Sequence, residues 1–211
     1  MSLEVTQLEI GQFAENCYVA RRAAGDEAVV VDPGWPGAWA EIEQALAGAR
    51  CAAILITHAD IDHIGGVAEL QRATHAPVYM AEVDSDRAQR INELYPEAGV
   101  TFEAFTPDVL LQGDERLDLA GIEFETLKVP GHLPGHLAFY SDGALFSGDV
   151  LFAGSVGRTD RPDGDWDSLL DSIRRLLERF PPETVVYSGH GPPTTLGEEL
   201  ARNPFLAELR A

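Results

Sequence analysis

The sequence has little positive charge. Lys128 is its only lysine, and 15 basic residues stand against 35 acidic ones, which gives a formal charge of −20. Such an excess of negative charge repels phosphate backbones, and no basic patch interrupts it along the chain. We therefore expect no nucleic-acid partner.

Cysteines and long apolar runs are also scarce. Cys17 and Cys51 lie in unrelated segments without CxxC spacing, so we interpret both as small buried hydrophobes in a reducing cytosol. No apolar run approaches the roughly 20 residues that a membrane span needs. The first ten residues also lack the basic and apolar regions of a signal peptide. The sequence predicts a cytoplasmic protein with no membrane partner, and it leaves the oligomeric state open.

Short apolar runs alternate with helical patterns along the chain. At 211 residues and 45% hydrophobic content, the chain can bury one core, and no linker or repeat divides it. The predicted strands are 3–10, 16–20, 28–34, 52–57, 76–80, 115–120, 122–129, 136–149 (a hairpin) and 184–191. The predicted helices are 36–49, 65–74, 85–91 and 166–180. This order predicts one α+β domain, residues 1–211, in which sheets pack together and helices cover them.

Residue types that bind metals follow four of the predicted strands. The segments are THADIDH (57–63), PGHLPGH (130–136), SGD (147–149) and SGH (188–190). Five of the six histidines fall in them, and three stand beside glycines that let the backbone approach closely. Loops at one edge of a rigid sheet are suited to hold a preorganised metal site. The sequence therefore predicts such a site.

These segments resemble the motifs of the metallo-β-lactamase-fold hydrolases, in particular the small glyoxalase II-like branch. The usual THxHxDHxGG signature stands here as THADIDHIGG, and GHLPGH, SGDVLF and SGHGP match the later ligand motifs. VVVDPG, GRTD and PPTTLGEELARNPF extend the match over nearly the whole chain. The resemblance implies an αββα sandwich with two metals at one edge of its sheets.

The resemblance also implies a set of ligands. The first metal would be held by His58, Asp60 and His132, the second by Asp62, His63 and His190, with Asp149 bridging the two.

Three further residues lie near this pattern. Asp32 matches a carboxylate that braces the histidine loop, although capping of an Asp-Pro turn is an alternative role. His136 and His75 have no ligand position. We expect His136 to orient its loop and His75 to lie on the surface.

Asp60 stands where the family normally has histidine. Its oxygen is a harder ligand than an imidazole nitrogen, which tilts the first site from zinc toward iron or manganese. Its side chain is also shorter than a histidine bound through its far nitrogen. We therefore expect two divalent ions, zinc or iron with manganese as a further candidate, or one ion if Asp60 does not ligate.

The resemblance implies a hydrolase in which a metal-bound hydroxide attacks a carbonyl, with Asp62 helping to orient that hydroxide. We identify no assured general acid near the metal loops, and a thiolate leaves without one, which favours a small-molecule thioester or related ester. The prediction is a hydroxyacylglutathione hydrolase-like enzyme. Whether glutathione is recognised stays open, with Arg158 or Arg161 as candidate partners for its carboxylates.

The segment 92–112, with Phe102 and Phe105, is the candidate wall of the substrate pocket, and a surface loop that packs two aromatic residues is the alternative. Other functions stay open. One is a mononuclear iron enzyme similar to the persulfide dioxygenases. The others are a lactonase and a non-catalytic metal-binding protein on the same fold.

Overall fold

The computed structural model describes residues 2–23 and 25–210, in which two six-stranded sheets form the centre of the fold. The first sheet is antiparallel over its first three strands and parallel from the third strand onward. In spatial order its strands are β1 (Leu3–Ile10), β2 (Glu15–Arg22), β3 (Glu27–Val31), β4 (Arg50–Leu55), β5 (Val78–Ala81) and β6 (Val109–Leu111).

The second sheet is built mainly from two hairpins and one parallel neighbour. Its strands are β7 (Arg116–Leu119), β8 (Ile122–Lys128), β9 (Leu137–Ser141), β10 (Ala144–Gly148), β13 (Val185–Ser188) and β14 (Thr194–Thr195). Their spatial order is β14-β13-β10-β9-β8-β7. A small separate hairpin pairs β11 (Leu151–Phe152) with β12 (Ser155–Val156).

Helices fill the connections between strands. They are α1 (Trp39–Leu46), α2 (Ile61–Ile64), α3 (Val67–Thr74), α4 (Ser85–Gln89), α5 (Ile91–Leu94), α6 (Trp166–Arg179) and α7 (Leu196–Arg202). Single 3₁₀ segments add Glu82–Asp84, Pro96–Ala98 and Pro204–Arg210. Among the described helices, none combines the length and the apolar character that crossing a bilayer requires.

Three apolar layers separate the stacked sheets and helices and form the core. The central layer joins the two sheets, for example Tyr18 and Val31 of the first sheet with Phe124 and Phe146 of the second. One outer layer packs α1 and α3 against the first sheet, and the other packs α6 against the second. Strands buried on both faces have no polar side to alternate, which explains runs such as AVVV. The predicted αββα sandwich of class α+β is confirmed.

Of the two roles predicted for the segment 92–112, its two phenylalanines take the packing role. Phe102 and Phe105 are only 2% and 5% exposed and belong to the layer under α1 and α3, and neither lines the cavity next to Tyr95 and Arg161. Phe102 packs edge-on against Trp35. The segment also contains the three-residue strand β6, which is too short to produce an alternating pattern.

Candidate metal centre

Loops from both sheets meet at one edge of the sandwich. The first sheet contributes the residues that follow β4, which run into the short helix α2. The second sheet contributes the loop after β8, the residue after β10 and the loop after β13. All four predicted metal-binding segments therefore lie where a strand of the sandwich ends, and their side chains converge.

Asp32 braces the histidine loop from behind. Its Oδ1 accepts from the Thr57 backbone N–H at 2.8 Å, and its Oδ2 accepts from the Thr57 hydroxyl at 2.6 Å and from His63 Nδ1 at 2.9 Å. Thr57 Oγ1 in turn accepts from His58 Nδ1 at 3.0 Å. Each imidazole is thereby fixed with its Nε2 lone pair directed away from Asp32. The bracing role expected of Asp32 is the one that the structure shows.

The second sheet orients its own histidines in the same way. His132 Nδ1 donates to the Arg158 carbonyl at 2.8 Å. His136 is fully buried, donates through Nδ1 to the Leu137 carbonyl at 3.1 Å and accepts from the Asp149 backbone N–H at 3.0 Å. Burial, together with nearby His132, lowers the pKa of His136 to about 3, so the ring stays neutral. His136 therefore positions Asp149, as the sequence predicted that it would orient a loop.

The loop that carries His190 is held by the first sheet. Asn16 donates its backbone N–H to the Gly189 carbonyl at 2.8 Å and its side-chain amide to the Ser188 carbonyl at 2.9 Å. The Tyr18 hydroxyl donates to that Ser188 carbonyl at 2.6 Å. These contacts, about 170 positions apart in the sequence, pin the last loop across the gap between the sheets.

One group of ligand atoms surrounds His63. Its Nε2 lies 3.3 Å from Asp149 Oδ1. His190 Nε2 lies 3.3 Å from Asp62 Oδ2 and 3.6 Å from Asp149 Oδ2. We call Asp62, His63 and His190, with Asp149, the His63 set. A side chain at Gly189 would place its Cβ 2.1 Å from Asp149 Oδ1, so only glycine lets this loop approach so closely.

A second group surrounds His132. His132 Nε2 lies 3.1 Å from Asp60 Oδ2 and 3.8 Å from Asp149 Oδ2. His58 Nε2 lies 3.9 Å from the same Asp60 oxygen. We call His58, Asp60 and His132 the His132 set. Asp149 stands between the two sets, with one oxygen toward His63 and the other toward His132 and His190.

The separations of 3.3 and 3.6 Å in the His63 set fit a divalent ion, whereas the 3.1 Å between His132 Nε2 and Asp60 Oδ2 is a hydrogen-bond distance. Ligand bonds of about 2.0–2.2 Å in a tetrahedral site put neighbouring ligand atoms about 3.3–3.6 Å apart, longer than most hydrogen bonds. Within the described part of the chain, the buried atoms His58 Nε2, His63 Nε2 and Asp149 Oδ1 have no hydrogen-bond partner. Buried polar atoms that lack a partner are costly, and they are rare unless an ion or water completes them. The residues present therefore fit a metal centre.

The protonation states also suit an ion. Burial raises the pKa of Asp149, but His63 and His190 outweigh burial and hold that pKa well below its usual range. Burial and nearby imidazoles lower the pKa of His58 well below its usual range. Burial alone would lower the pKa of His63, yet the carboxylates of Asp149 and Asp32 raise it well above its usual range. Burial would also lower the pKa values of His132 and His190, but neighbouring carboxylates raise the pKa of His132 above its usual range and that of His190 to about 10. A neutral His58 and ionised Asp149 are ready to ligate, whereas the other three ligand histidines would release protons when ions bind.

Asp60 has two partners that the sequence did not predict. Tyr95 donates its hydroxyl to Asp60 Oδ1 at 2.5 Å, and Arg161 Nη1 donates to Asp60 Oδ2 at 2.7 Å. Burial raises the pKa of Asp60, but its contacts with His132, Tyr95 and Arg161 lower it to about 2. Asp60 is therefore an ionised carboxylate at neutral pH, and both of its oxygens accept hydrogen bonds.

A cavity of about 510 Å³ opens beside Asp60. The apolar residues of its lining are Phe13, Ile61, Leu94, Tyr95, Ala98, Leu133 and Pro162, and the polar ones are Gln12, Arg87, Arg161 and Asp163. The segment 92–112 thus does contribute a wall, through its first helical turns rather than through Phe102 and Phe105. Arg87 pairs with Asp163 at 2.9 Å, so both arginines of the lining are already in ion pairs.

Asp84, buried behind Arg87, makes the stability of the protein depend on pH. Burial raises the pKa of Asp84 to about 6, and Arg87 opposes that rise without cancelling it. The folded state therefore binds a proton between about pH 4 and 6 that the unfolded state releases, so the stabilising effect of this proton is lost as pH rises through 6. We expect the difference in unfolding free energy between Asp84→Asn and wild type to grow by about 2–3 kcal/mol in favour of the variant as the pH rises from 4 to 7.

Urea unfolding of EDTA-treated protein at several pH values measures this difference. The control is Asp86→Asn, an exposed change in the next helix, whose unfolding free energy should show the same pH dependence as that of wild type. A difference between Asp84→Asn and wild type that does not change with pH would contradict the assignment.

The structure brings together all seven side chains that the sequence selected as ligands. His75 is exposed at the end of α3, as expected for a surface residue. Three contributors to the site were not predicted from the sequence: Asn16, Tyr95 and the contact of Arg161 with Asp60. No local motif marks any of the three, because each acts on a loop that is distant in the sequence.

An αββα sandwich with two groups of metal-binding side chains at one edge defines a class of metal-binding folds. The model of the metallo-beta-lactamase superfamily matches residues 10–190, and the chain belongs to that superfamily. The chain is 36% identical to the probable metallo-hydrolase YqgX of Bacillus subtilis, over 95% of this chain and 96% of the relative. It is 34% identical to the hydroxyacylglutathione hydrolase GloC of Haemophilus influenzae, over 98% of each.

Solved structures agree with this assignment. The BLEG-1 B3 metallo-beta-lactamase is 37% identical, with a TM-score of 0.89 over 97% of this chain and 100% of that one. TTHA1623, solved in a di-iron-bound form, is 40% identical, with a TM-score of 0.84 over 95% of this chain and 100% of that one. The fold of this chain is therefore one on which divalent metals bind.

Proposed function

We propose that the protein is a metal-dependent hydrolase that cleaves a small-molecule thioester or related ester. The observation that carries the proposal is the meeting of two ligand sets at Asp149, next to a cavity with apolar walls. The His132 set would hold one divalent ion and the His63 set the other, with Asp149 shared. When bound, the ions would supply Lewis acidity and acidify a water molecule in the site.

Asp62 is the residue we propose to orient the attacking water. One of its oxygens lies 3.3 Å from His190 Nε2, and its side chain is 16% exposed, so it can be reached from the solvent side of the site. A carboxylate in this position accepts a hydrogen bond from water and fixes the direction of attack. The products are a carboxylate and a thiol, and the thiol can leave as a thiolate because its pKa is near 8.5.

The lining of the cavity is suited to bind an uncharged acyl group. Leu94, Leu133 and Phe13 supply apolar surface, while the pairing of Arg87 with Asp163 and of Arg161 with Asp60 neutralises both cations of the wall. Neither arginine is left to recognise an anionic substrate group without losing its partner. We therefore propose that the acyl part of the substrate, rather than glutathione carboxylates, occupies this cavity.

A panel of substrates tests the function. Metal-loaded protein would be assayed with a hydroxyacylglutathione, with a short acyl thioester that lacks glutathione, with a nitrophenyl ester and with a β-lactam. We expect both thioesters to be hydrolysed with kcat/KM at least about tenfold above that for the β-lactam. Protein treated with EDTA is the control and should regain activity on metal addition. Preference for the β-lactam, or activity that EDTA does not remove, would contradict the proposal.

The second candidate is oxidation of a persulfide at a single iron. Asp62, His63 and His190 are two histidines and one carboxylate, the ligand types that suit non-haem Fe(II) oxygenases. Protein loaded with Fe²⁺ would then consume oxygen when a persulfide is added. Oxygen uptake without thioester hydrolysis would favour this candidate over the first.

A further inference from the structure

A permanent cation contacts the His132 set. Arg161 Nη1 lies 2.7 Å from Asp60 Oδ2, the same oxygen that lies 3.1 Å from His132 Nε2. The other Asp60 oxygen accepts from Tyr95. Building on the metal-dependent function proposed above, we propose that Arg161 makes the His132 set the weaker metal site, so that the protein binds one divalent ion tightly in the His63 set and a second ion weakly.

The first step of the argument is competition for one oxygen. An ion held by the His132 set through Asp60 Oδ2 would share that oxygen with the guanidinium of Arg161. A guanidinium stays protonated at every physiological pH, so its positive charge cannot be removed to accommodate the ion. Asp60 is only 4% exposed whereas the Arg161 side chain is 37% exposed, so water screens the repulsion between the two cations only in part.

The second step is the contrast with the His63 set. Its charged neighbours are carboxylates: Asp149 Oδ1 lies 3.3 Å from His63 Nε2, and Asp32 Oδ2 lies 2.9 Å from His63 Nδ1. Burial raises the pKa of Glu15, which also lies near His63 Nδ1, well above its usual range, so Glu15 adds no charge. Among the ion pairs of the described residues, none joins a lysine or arginine to this set. The field around it therefore favours a divalent ion.

The third step is charge balance. Asp60, Asp62 and Asp149 bring three negative charges to the centre. One divalent ion and the Arg161 guanidinium balance these three ligand charges. Two divalent ions and the guanidinium would exceed them by two positive charges, of which the Asp32 carboxylate beside His63 offsets one. The guanidinium thus supplies part of the positive charge that a second ion would otherwise supply.

The fourth step is that the fold holds Arg161 in this position. The segment after β12 supplies the Arg158 carbonyl that accepts from His132 Nδ1 at 2.8 Å. Three residues later the same segment places Arg161, and the Gly164 backbone N–H donates to the Arg161 carbonyl at 2.9 Å to close the turn. The contact that orients a ligand and the cation that competes for Asp60 therefore come from one short loop.

Metal titration tests the proposal independently of activity. Protein stripped with EDTA would be titrated with Zn²⁺ against a chromophoric chelator, and both the number of ions and their Kd values would be measured. In wild type we expect one tight ion and a second that binds at least about tenfold more weakly. In Arg161→Met the second ion should tighten by about tenfold or more.

Arg158→Met is the matched control, because it removes the same charge from the same loop. The Arg158 side chain is exposed and pairs with Asp160, and the variant keeps the backbone carbonyl that accepts from His132. Its titration should match wild type. Arg161→Gln gives a second test if the methionine variant folds poorly, and circular dichroism of each stripped protein checks the fold.

The outcomes separate the two proposals. Two equally tight ions in wild type, or an unchanged second Kd in both Arg161 variants, would overturn the role of Arg161 and leave the hydrolase proposal standing. The predicted pattern together with failure on every ester would support the role of Arg161 and refute the thioester function. Absence of any tightly bound ion would overturn both.

Discussion

The Asp149→Asn variant is expected to lose at least about a thousandfold in kcat/KM for a thioester and to retain less than half of the bound metal of wild type. Among the residues that the structure describes, Asp149 alone has oxygens that face both ligand sets, at 3.3 Å from His63 and at 3.8 and 3.6 Å from His132 and His190. An amide removes the negative charge and turns one of the two acceptor atoms into a donor. Both ligand sets should therefore lose affinity for metal ions in the same variant.

Plasma mass spectrometry of the purified variant, beside steady-state kinetics, measures both effects. Asp160→Asn is a suitable control, since this carboxylate is exposed and pairs only with Arg158 among the contacts of the described residues. That control should keep the metal content and the activity of wild type. A variant at Asp149 that keeps its metal and loses less than tenfold in kcat/KM would refute the central place of this residue.

The Asp32→Ala variant is expected to lose roughly 3–5 kcal/mol of unfolding free energy in the absence of metal. The loss arises because three buried donors, the Thr57 N–H, the Thr57 hydroxyl and His63 Nδ1, lose their acceptor together. Asp32 also has a φ of +47°, which aspartate and asparagine adopt more easily than alanine. The measurement is urea unfolding of EDTA-treated protein.

Asp32→Asn separates the two contributions. It tolerates the positive φ and can keep the bond from the Thr57 N–H, but its amide nitrogen cannot accept from the hydroxyl and His63. We expect Asp32→Asn to lose less unfolding free energy than the alanine variant but to be less stable than wild type. A loss below about 1 kcal/mol in Asp32→Ala would mean that the histidine loop holds its shape without this carboxylate.

The strand and helix patterns predicted packed sheets covered by helices, and the family resemblance implied the αββα sandwich. The ligand loops could be predicted because their signals are local. Each ligand segment directly follows an apolar strand, and THADIDHIGG carries its histidines, aspartates and glycines within ten residues. The partners of Asp60 have no such signal. Arg161 lies 101 positions away from Asp60, and only the folded course of two loops brings their side chains together.

Phe102 and Phe105 show a different limit. Aromatic residues in a non-periodic segment are equally compatible with a pocket wall and with a core, and the choice depends on which helices lie above them. Here Phe102 contacts Trp35 and Gly65 and so belongs to the helix-covered layer. Tyr95, seven positions earlier, faces the cavity instead.

Neither sheet of the sandwich holds a complete ligand set. In the His132 set, His58 and Asp60 come from the first sheet and His132 from the second, and the His63 set is divided in the same way. An ion would therefore bind in full only after the two sheets have docked, which is a late event in a chain dominated by contacts distant in sequence. Because such an ion stabilises the native state more than a transition state with separated sheets, it should slow unfolding rather than speed folding. Opening of the sandwich would then also release the ion, because each half of the site keeps only part of the ligands.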